Sequence, residues 1–192
     1  MERIRSFIAI EIPPDLGEKI GEVQNLLRQT GADVKWTRPE GIHLTLKFLG
    51  ERTGPELEEA AAALSPPLRE RKAFPLSIRG LGVFPSPRSP RVLWARVDQG
   101  REEVSALQET IEKILAAVGF PPEDRPFTPH LTLGRMRSGQ GRGALIELME
   151  RHREVVLGSF RAREVHLFRS ELHPSGAVYT KLKTFVLEEE PL

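Results

Sequence analysis

Cysteine is absent from all 192 residues, which excludes disulfides, thiolate metal ligands and a cysteine nucleophile and fits a reducing compartment. Asparagine occurs once, at Asn25, and arginine outnumbers lysine 21 to 7, the bias of a thermophile or of a GC-rich genome. Long apolar runs are missing too. The FIAI run at 7–10 is cut at Glu11, far short of a signal-peptide core or a spanning helix, so the expectation is a cytoplasmic chain with no membrane contact. Net charge is scarce: at +1 there is no global field to draw in a polyanion, and any such contact must be local. Familiar cofactor motifs are lacking as well. GQGRG at 139–143 has neither the GK[ST] of a phosphate loop nor the third glycine of a dinucleotide fingerprint. There is no HExxH, and the carboxylates near the candidate site keep no ligand spacing. No cofactor and no metal are expected.

What is present is a tetrapeptide used twice. HLTLKFLG at 43–50 and HLTLGRMR at 130–137 both open on His-Leu-Thr-Leu. In a strand, residues two apart share a face about 6.6 Å apart, so His43 and Thr45 look one way while Leu44 and Leu46 look the other. His130 and Thr132 repeat the pattern. The leucines suit a core, and the imidazoles and hydroxyls suit a cleft.

Other features recur at nearly the same offset of 87 residues. Helical patterns at 14–29 and 101–119 precede the two copies, and others at 54–70 and 143–154 follow them. FPLSIRGLGVFPS at 74–86 answers FRAREVHLFRS at 160–170, and RVLWARV at 91–97 answers AVYTKLKTF at 177–185. The Pro-rich loops at 84–91 and 120–129 are too short to be interdomain linkers. The expected fold is therefore α/β in the α+β sense, one domain over 1–192 with an internal duplication. It has two pseudo-symmetric lobes, each a mainly antiparallel sheet with outer helices, around a groove lined by the two HxTx strands.

Two imidazoles on opposite walls of a groove can serve as general acid and general base near neutral pH. The neighbouring threonine hydroxyls can donate to anionic oxygens, which suits in-line attack on a phosphodiester. The other histidines carry no such context: His152 falls at a helix C-terminus, His166 within a strand and His173 in an HPSG turn. Trp36 and Trp94 are read as core rather than as stacking platforms for a base.

These residues resemble the two HxTx motifs of the 2H phosphoesterase superfamily. FIAIEIP, HLTLKFLG, PRVLWARV, PHLTLGR and FRSELHPSGAVYTKL are similar, in order and over nearly the whole chain, to the bacterial and archaeal RNA 2',3'-cyclic phosphodiesterases, also called 2'-5' RNA ligases. The resemblance implies His43 as proton donor, His130 as proton acceptor, and Thr45, Thr132 and Arg135 as phosphate ligands. It also implies hydrolysis of cyclic ends to 2'-phosphomonoesters, with ATP-independent 2'-5' ligation as the reverse-type reaction. The implied partners are RNA with 2',3'-cyclic phosphate ends, tRNA fragments among them, and small cyclic nucleotides, acted on by a monomer. Strict alternation would put Arg135 on the leucine face, so it reaches the groove only if the strand ends or bulges after Gly134. Two other readings stand beside this one: a module that grips a terminal phosphate of RNA without turnover, and a two-histidine metal hydrolase.

Overall fold

The computed structural model describes residues 2–174 and 176–189. Among the described residues, nine strands and four α-helices follow one another as β1 (Ile4–Glu11), α1 (Pro14–Arg28), β2 (Val34–Trp36), a 3-10 turn (Pro39–Gly41), β3 (His43–Arg52), α2 (Gly54–Arg69), β4 (Phe74–Phe84), β5 (Val92–Val97), α3 (Arg101–Ala117), β6 (His130–Met136), α4 (Arg142–Arg151), β7 (Val156–Ala162), β8 (Glu164–His173) and β9 (Gly176–Val186).

All nine strands belong to one sheet of order β7-β4-β5-β6-β3-β1-β8-β9, with β2 added to β6. Every ladder between these strands is antiparallel. The middle of the sheet is its weakest join, because β3 and β6 share a single ladder pair, Leu44 opposite Leu131. The two expected sheets are thus continuous through one point of contact, and each side of it forms a lobe.

Each lobe is drawn from both halves of the chain. One combines β1 and β3 with β8 and β9, and α2 and α3 pack on it; the other combines β5 and β6 with β4 and β7, and takes α1 and α4. The helices show why they lie flat on a sheet: Leu57, Ala60, Leu64 and Leu68 of α2, and Val104, Leu107, Ile111 and Leu115 of α3, repeat at three- and four-residue steps and are buried. Both lobes drain into one hydrophobic cluster containing Ile8, Ile20, Leu44, Leu64, Leu93, Ile111 and Leu131.

Two expected pairings change. RVLWARV is β5, lying between β4 and β6 as β1 lies between β8 and β3, so its counterpart by position is the N-terminal strand and not AVYTKLKTF, which is the edge strand β9. FRAREVHLFRS is not one strand; it holds the end of β7 and the start of β8, which diverge at Arg163 to pair with β4 and β1 respectively. The split of FRAREVHLFRS arises from long-range pairing, to which local periodicity is blind, whereas the place of RVLWARV follows from the 87-residue offset itself, which sets 91–97 against 4–10.

Candidate active site

His43 and His130 each open a central strand, and the antiparallel register about Leu44 and Leu131 carries His43 opposite Thr132 and Thr45 opposite His130. The four leucines of the motifs are buried and the four polar residues are half-buried on the other face. The imidazoles therefore occupy one diagonal of a four-cornered patch and the hydroxyls the other. In a regular ladder such diagonal neighbours lie about 7–8 Å apart.

Both strands bulge at the same place. Along β3, Thr45 pairs with Ala9 and Lys47 with Ile8, which leaves Leu46 as an extra residue; along β6, Thr132 pairs with Trp94 and Gly134 with Leu93, which leaves Leu133 extra. A bulge turns two successive residues to one side. Leu46 and Lys47, like Leu133 and Gly134, face inward, and the next residue comes out beside the threonine. That residue is Arg135 in β6 and Phe48 in β3. The break in alternation that Arg135 needed is present, and the Leu133 carbonyl at the bulge accepts hydrogen bonds from the Thr37 amide (2.9 Å) and from Nε2 of buried Gln24 (2.8 Å).

Each imidazole is anchored by the carbonyl two residues upstream: His43 Nδ1 to Gly41 O at 2.8 Å and His130 Nδ1 to Thr128 O at 2.7 Å. A carbonyl only accepts, so Nδ1 carries the proton and Nε2 of the neutral ring holds a free lone pair. Burial lowers the pKa of both rings. His43, stacked on Phe7 at 4.6 Å and met edge-on by Tyr179 at 5.1 Å, is pushed down to about 4 against the opposing pull of its carbonyl. His130 is lowered first by burial and further by Arg135, with the Thr128 carbonyl opposing, and Phe84 meets its ring edge-on at 5.1 Å. A phosphate anion beside these rings would act in the opposite sense and favour the imidazolium.

A cavity of about 460 Å3 gathers His43, Thr45, Thr132 and Arg135. His130 is not among the residues lining it; it stands two residues from Thr132 on the same face of β6. The cavity runs on past His43 to groups that motif spacing did not single out, among them Arg5, Phe48, Ser170 and Tyr179. Burial raises the Tyr179 pKa, which keeps its hydroxyl a donor at neutral pH. Its one sequence signal was that it lies in the GAVYTKL segment of the family likeness. Phe48, at 57% exposure, stands at the position that the 87-residue offset sets against Arg135.

Among the remaining histidines, His152 caps α4, His173 ends β8, and His166 is buried with Nδ1 3.0 Å from Thr184 Oγ1 and Nε2 3.4 Å from Glu164. Trp36 packs against the core under Arg28, and Trp94 lies across Gly82 beneath Phe84. A larger cavity of about 1010 Å3 between α1, β7 and β8 contains neither motif, and its walls set Glu11, Glu18, Glu22, Glu40 and Glu164 against Arg161 and Arg163, an excess of negative charge that disfavours a phosphate. Chemistry therefore favours the smaller cavity over the larger. Among the described residues no three His, Asp or Glu side chains converge as a metal-holding group, and no helix is long and apolar enough to cross a membrane.

Similarity to known proteins follows the same two motifs. The model of the family described as LigT-like phosphoesterase matches residues 10–94 and, a second time, 96–179. A protein of Methanothermobacter thermautotrophicus named RNA 2',3'-cyclic phosphodiesterase is 38% identical over 185 residues, covering 96% of this chain and 100% of that one. The crystal structure of TT0787 from Thermus thermophilus superposes with a TM-score of 0.80 at 32% identity over 97% of this chain and 100% of that one. E. coli LigT, crystallised with 3'-AMP, shares the fold at a TM-score of 0.79 and 24% identity over 97% and 99% of the two chains. With both halves matched and a relative this similar over its full length, the chain belongs to the LigT-like phosphoesterase family.

Proposed function

We propose that the protein is an RNA 2',3'-cyclic phosphodiesterase that opens the cyclic end to a 2'-phosphomonoester. The observation that carries this is the pair of carbonyl-anchored imidazoles, set diagonally on adjoining strands with a threonine at each remaining corner. His130 Nε2 takes a proton from water as its oxygen bonds to phosphorus, and His43 Nε2 gives a proton to the departing 3' oxygen. The P–O3' bond breaks, leaving a 3'-hydroxyl and a 2'-phosphate. Thr45 and Thr132 donate to the nonbridging oxygens, and Arg135 neutralises charge that builds in the transition state. With a 5'-hydroxyl RNA end in place of water, the same exchange is ATP-independent 2'-5' ligation: His130 takes the proton of the 5'-hydroxyl as its oxygen bonds to phosphorus, the P–O3' bond breaks, and His43 protonates the released 3' oxygen. The setting we propose is a cytoplasmic monomer acting on cyclic-ended RNA and on small cyclic nucleotides, built as one two-lobed domain from a duplicated unit. Turnover of a 2',3'-cyclic nucleotide with and without EDTA tests the proposal. Chelator-resistant hydrolysis is expected, whereas binding without turnover, or loss of turnover with EDTA, would point to a phosphate-gripping module or a metal hydrolase.

The lowered histidine pKa values set the pH dependence. A depressed pKa means the imidazolium gives up its proton at lower pH than free imidazole does, so in the free enzyme the donor form is already scarce above pH 6.5. The profile of kcat/KM, which reports the free enzyme, is then a bell with its maximum below 6.5 and a one-proton decline above it. The profile of kcat moves to higher pH, because bound phosphate favours the imidazolium. Coincident profiles, or a flat kcat/KM between pH 5 and 9, would contradict this.

Arg135→Ala removes a charged donor from the phosphate. A hydrogen bond to a charged group contributes about 1.5–3 kcal/mol, so kcat/KM for a cyclic mononucleotide should fall by roughly 10- to 100-fold. Unchanged turnover of the mononucleotide would take Arg135 out of the site.

A further inference from the structure

Three segments that are separate in sequence, 33–36, 86–92 and 134–142, converge at the Arg135 end of the groove. Lys35 pairs with Arg135 across β2 and β6, Val92 pairs with Arg135 from the other side, the Arg91 carbonyl accepts the Met136 amide, and Arg142 reaches the Arg88 carbonyl at 3.0 Å. Together they present Lys35, Arg88, Arg91, Arg135, Arg137 and Arg142, all exposed, against a single acid, Asp33. None of these six cations forms an ion pair with a carboxylate among the described residues. The local charge is +5 in a chain whose net charge is +1. Lys35 directly opposite Arg135 sets like charges side by side in a ladder, an arrangement that destabilises a sheet unless an anion lies over both.

We propose that this strip, continuous with Arg135 and running over Lys35, Arg91, Arg137 and Arg142, is a second binding site that takes the backbone phosphates of the nucleotides preceding the cyclic end of a single RNA strand. The inference rests on the catalytic reading for the orientation of the strand. Exposed arginines and a lysine suit this use, because they neutralise phosphates without reading base identity and release counterions as they do so. With Arg135 occupied by the scissile phosphate, the strip engages about two or three more, which corresponds to a log-log salt slope of roughly -1.5 to -2 for single-stranded RNA.

The test uses fluorescence anisotropy of an eight-nucleotide RNA with a 2',3'-cyclic end, and turnover of a 2',3'-cyclic mononucleotide as the control. The triple variant Lys35→Ser, Arg91→Ser, Arg137→Ser changes only exposed side chains, and its thermal melt should be no lower than that of the parent protein, since loss of Lys35 relieves its repulsion with Arg135. It should bind the oligomer at least about tenfold more weakly, with its salt slope reduced by about 1 to 2 units, and turn over the mononucleotide within twofold of the parent rate. Arg142→Ala alone should flatten the slope by less than about one unit. Equal oligomer affinity and equal slope in parent and triple variant would overturn the proposal. Because binding is read without turnover, failure of the parent to hydrolyse the mononucleotide would sink the catalytic reading and leave this result to stand or fall on its own.

Discussion

Alanine at His43 or at His130 is expected to lower turnover of a cyclic nucleotide at least about 10²-fold each, the lower end for removal of a general acid or base. Binding should change much less, since the proposed phosphate ligands Thr45, Thr132 and Arg135 are untouched. The two losses should not multiply: the rings act on one transition state, and residues that act as a unit give grossly non-additive effects. The double variant is therefore expected near the slower of the two single variants. Near-normal turnover by either single variant would make that histidine a structural residue, held by its upstream carbonyl and its aromatic neighbours alone.

The largest effect on stability is expected one residue past the first bulge. Lys47 is 2% exposed and sits 2.7 Å from Glu112 of α3, which is 16% exposed; its Nζ also donates to the Pro121 carbonyl at 2.9 Å. Glu112 further accepts from Gln108 Nε2 at 3.1 Å, so one carboxylate ties α3 to the strand that carries His43 and Thr45. Glu112→Ala leaves a buried ammonium with only a carbonyl, at a cost of about 3 kcal/mol, the lower end for breaking a buried pair. In a chain of this size that is a fall in Tm of roughly 6–12 °C. Replacing both partners, as Lys47→Met with Glu112→Leu, removes the stranded charge and should recover most of the loss. Chemical denaturation at an unchanged m value checks both, and a Glu112→Ala protein as stable as the parent would show that water already screens the pair.

Much of the site could be seen in the residues because its logic is local. A period of two puts His43 with Thr45 and His130 with Thr132, and the structure keeps those pairings. Even the break needed to bring Arg135 outward is there, in the extra residue Leu133. What stayed hidden is long-range. Nothing local marks VKW at 34–36 as a strand, since three residues become one only by lying against β6. The exchange of elements between lobes was invisible for the same reason, but the counterpart of RVLWARV was not: the 87-residue offset sets 91–97 against 4–10, the span of β1. Lys47 reads as a surface residue in HLTLKFLG by strict alternation, and only the bulge at Leu46 turns it inward to meet Glu112. The same bulge delivers Phe48 to the cavity.

Phosphorus NMR of the product formed from a 2',3'-cyclic nucleotide in EDTA tests the two-histidine assignment most directly, because in the proposed mechanism the oxygen that His43 protonates is the one released. The account predicts the 2'-phosphomonoester alone, formed by the parent protein and at least about 10²-fold more slowly by His43→Ala and His130→Ala. A 3'-phosphomonoester, or a 2'-product made at equal rate by either variant, would contradict it.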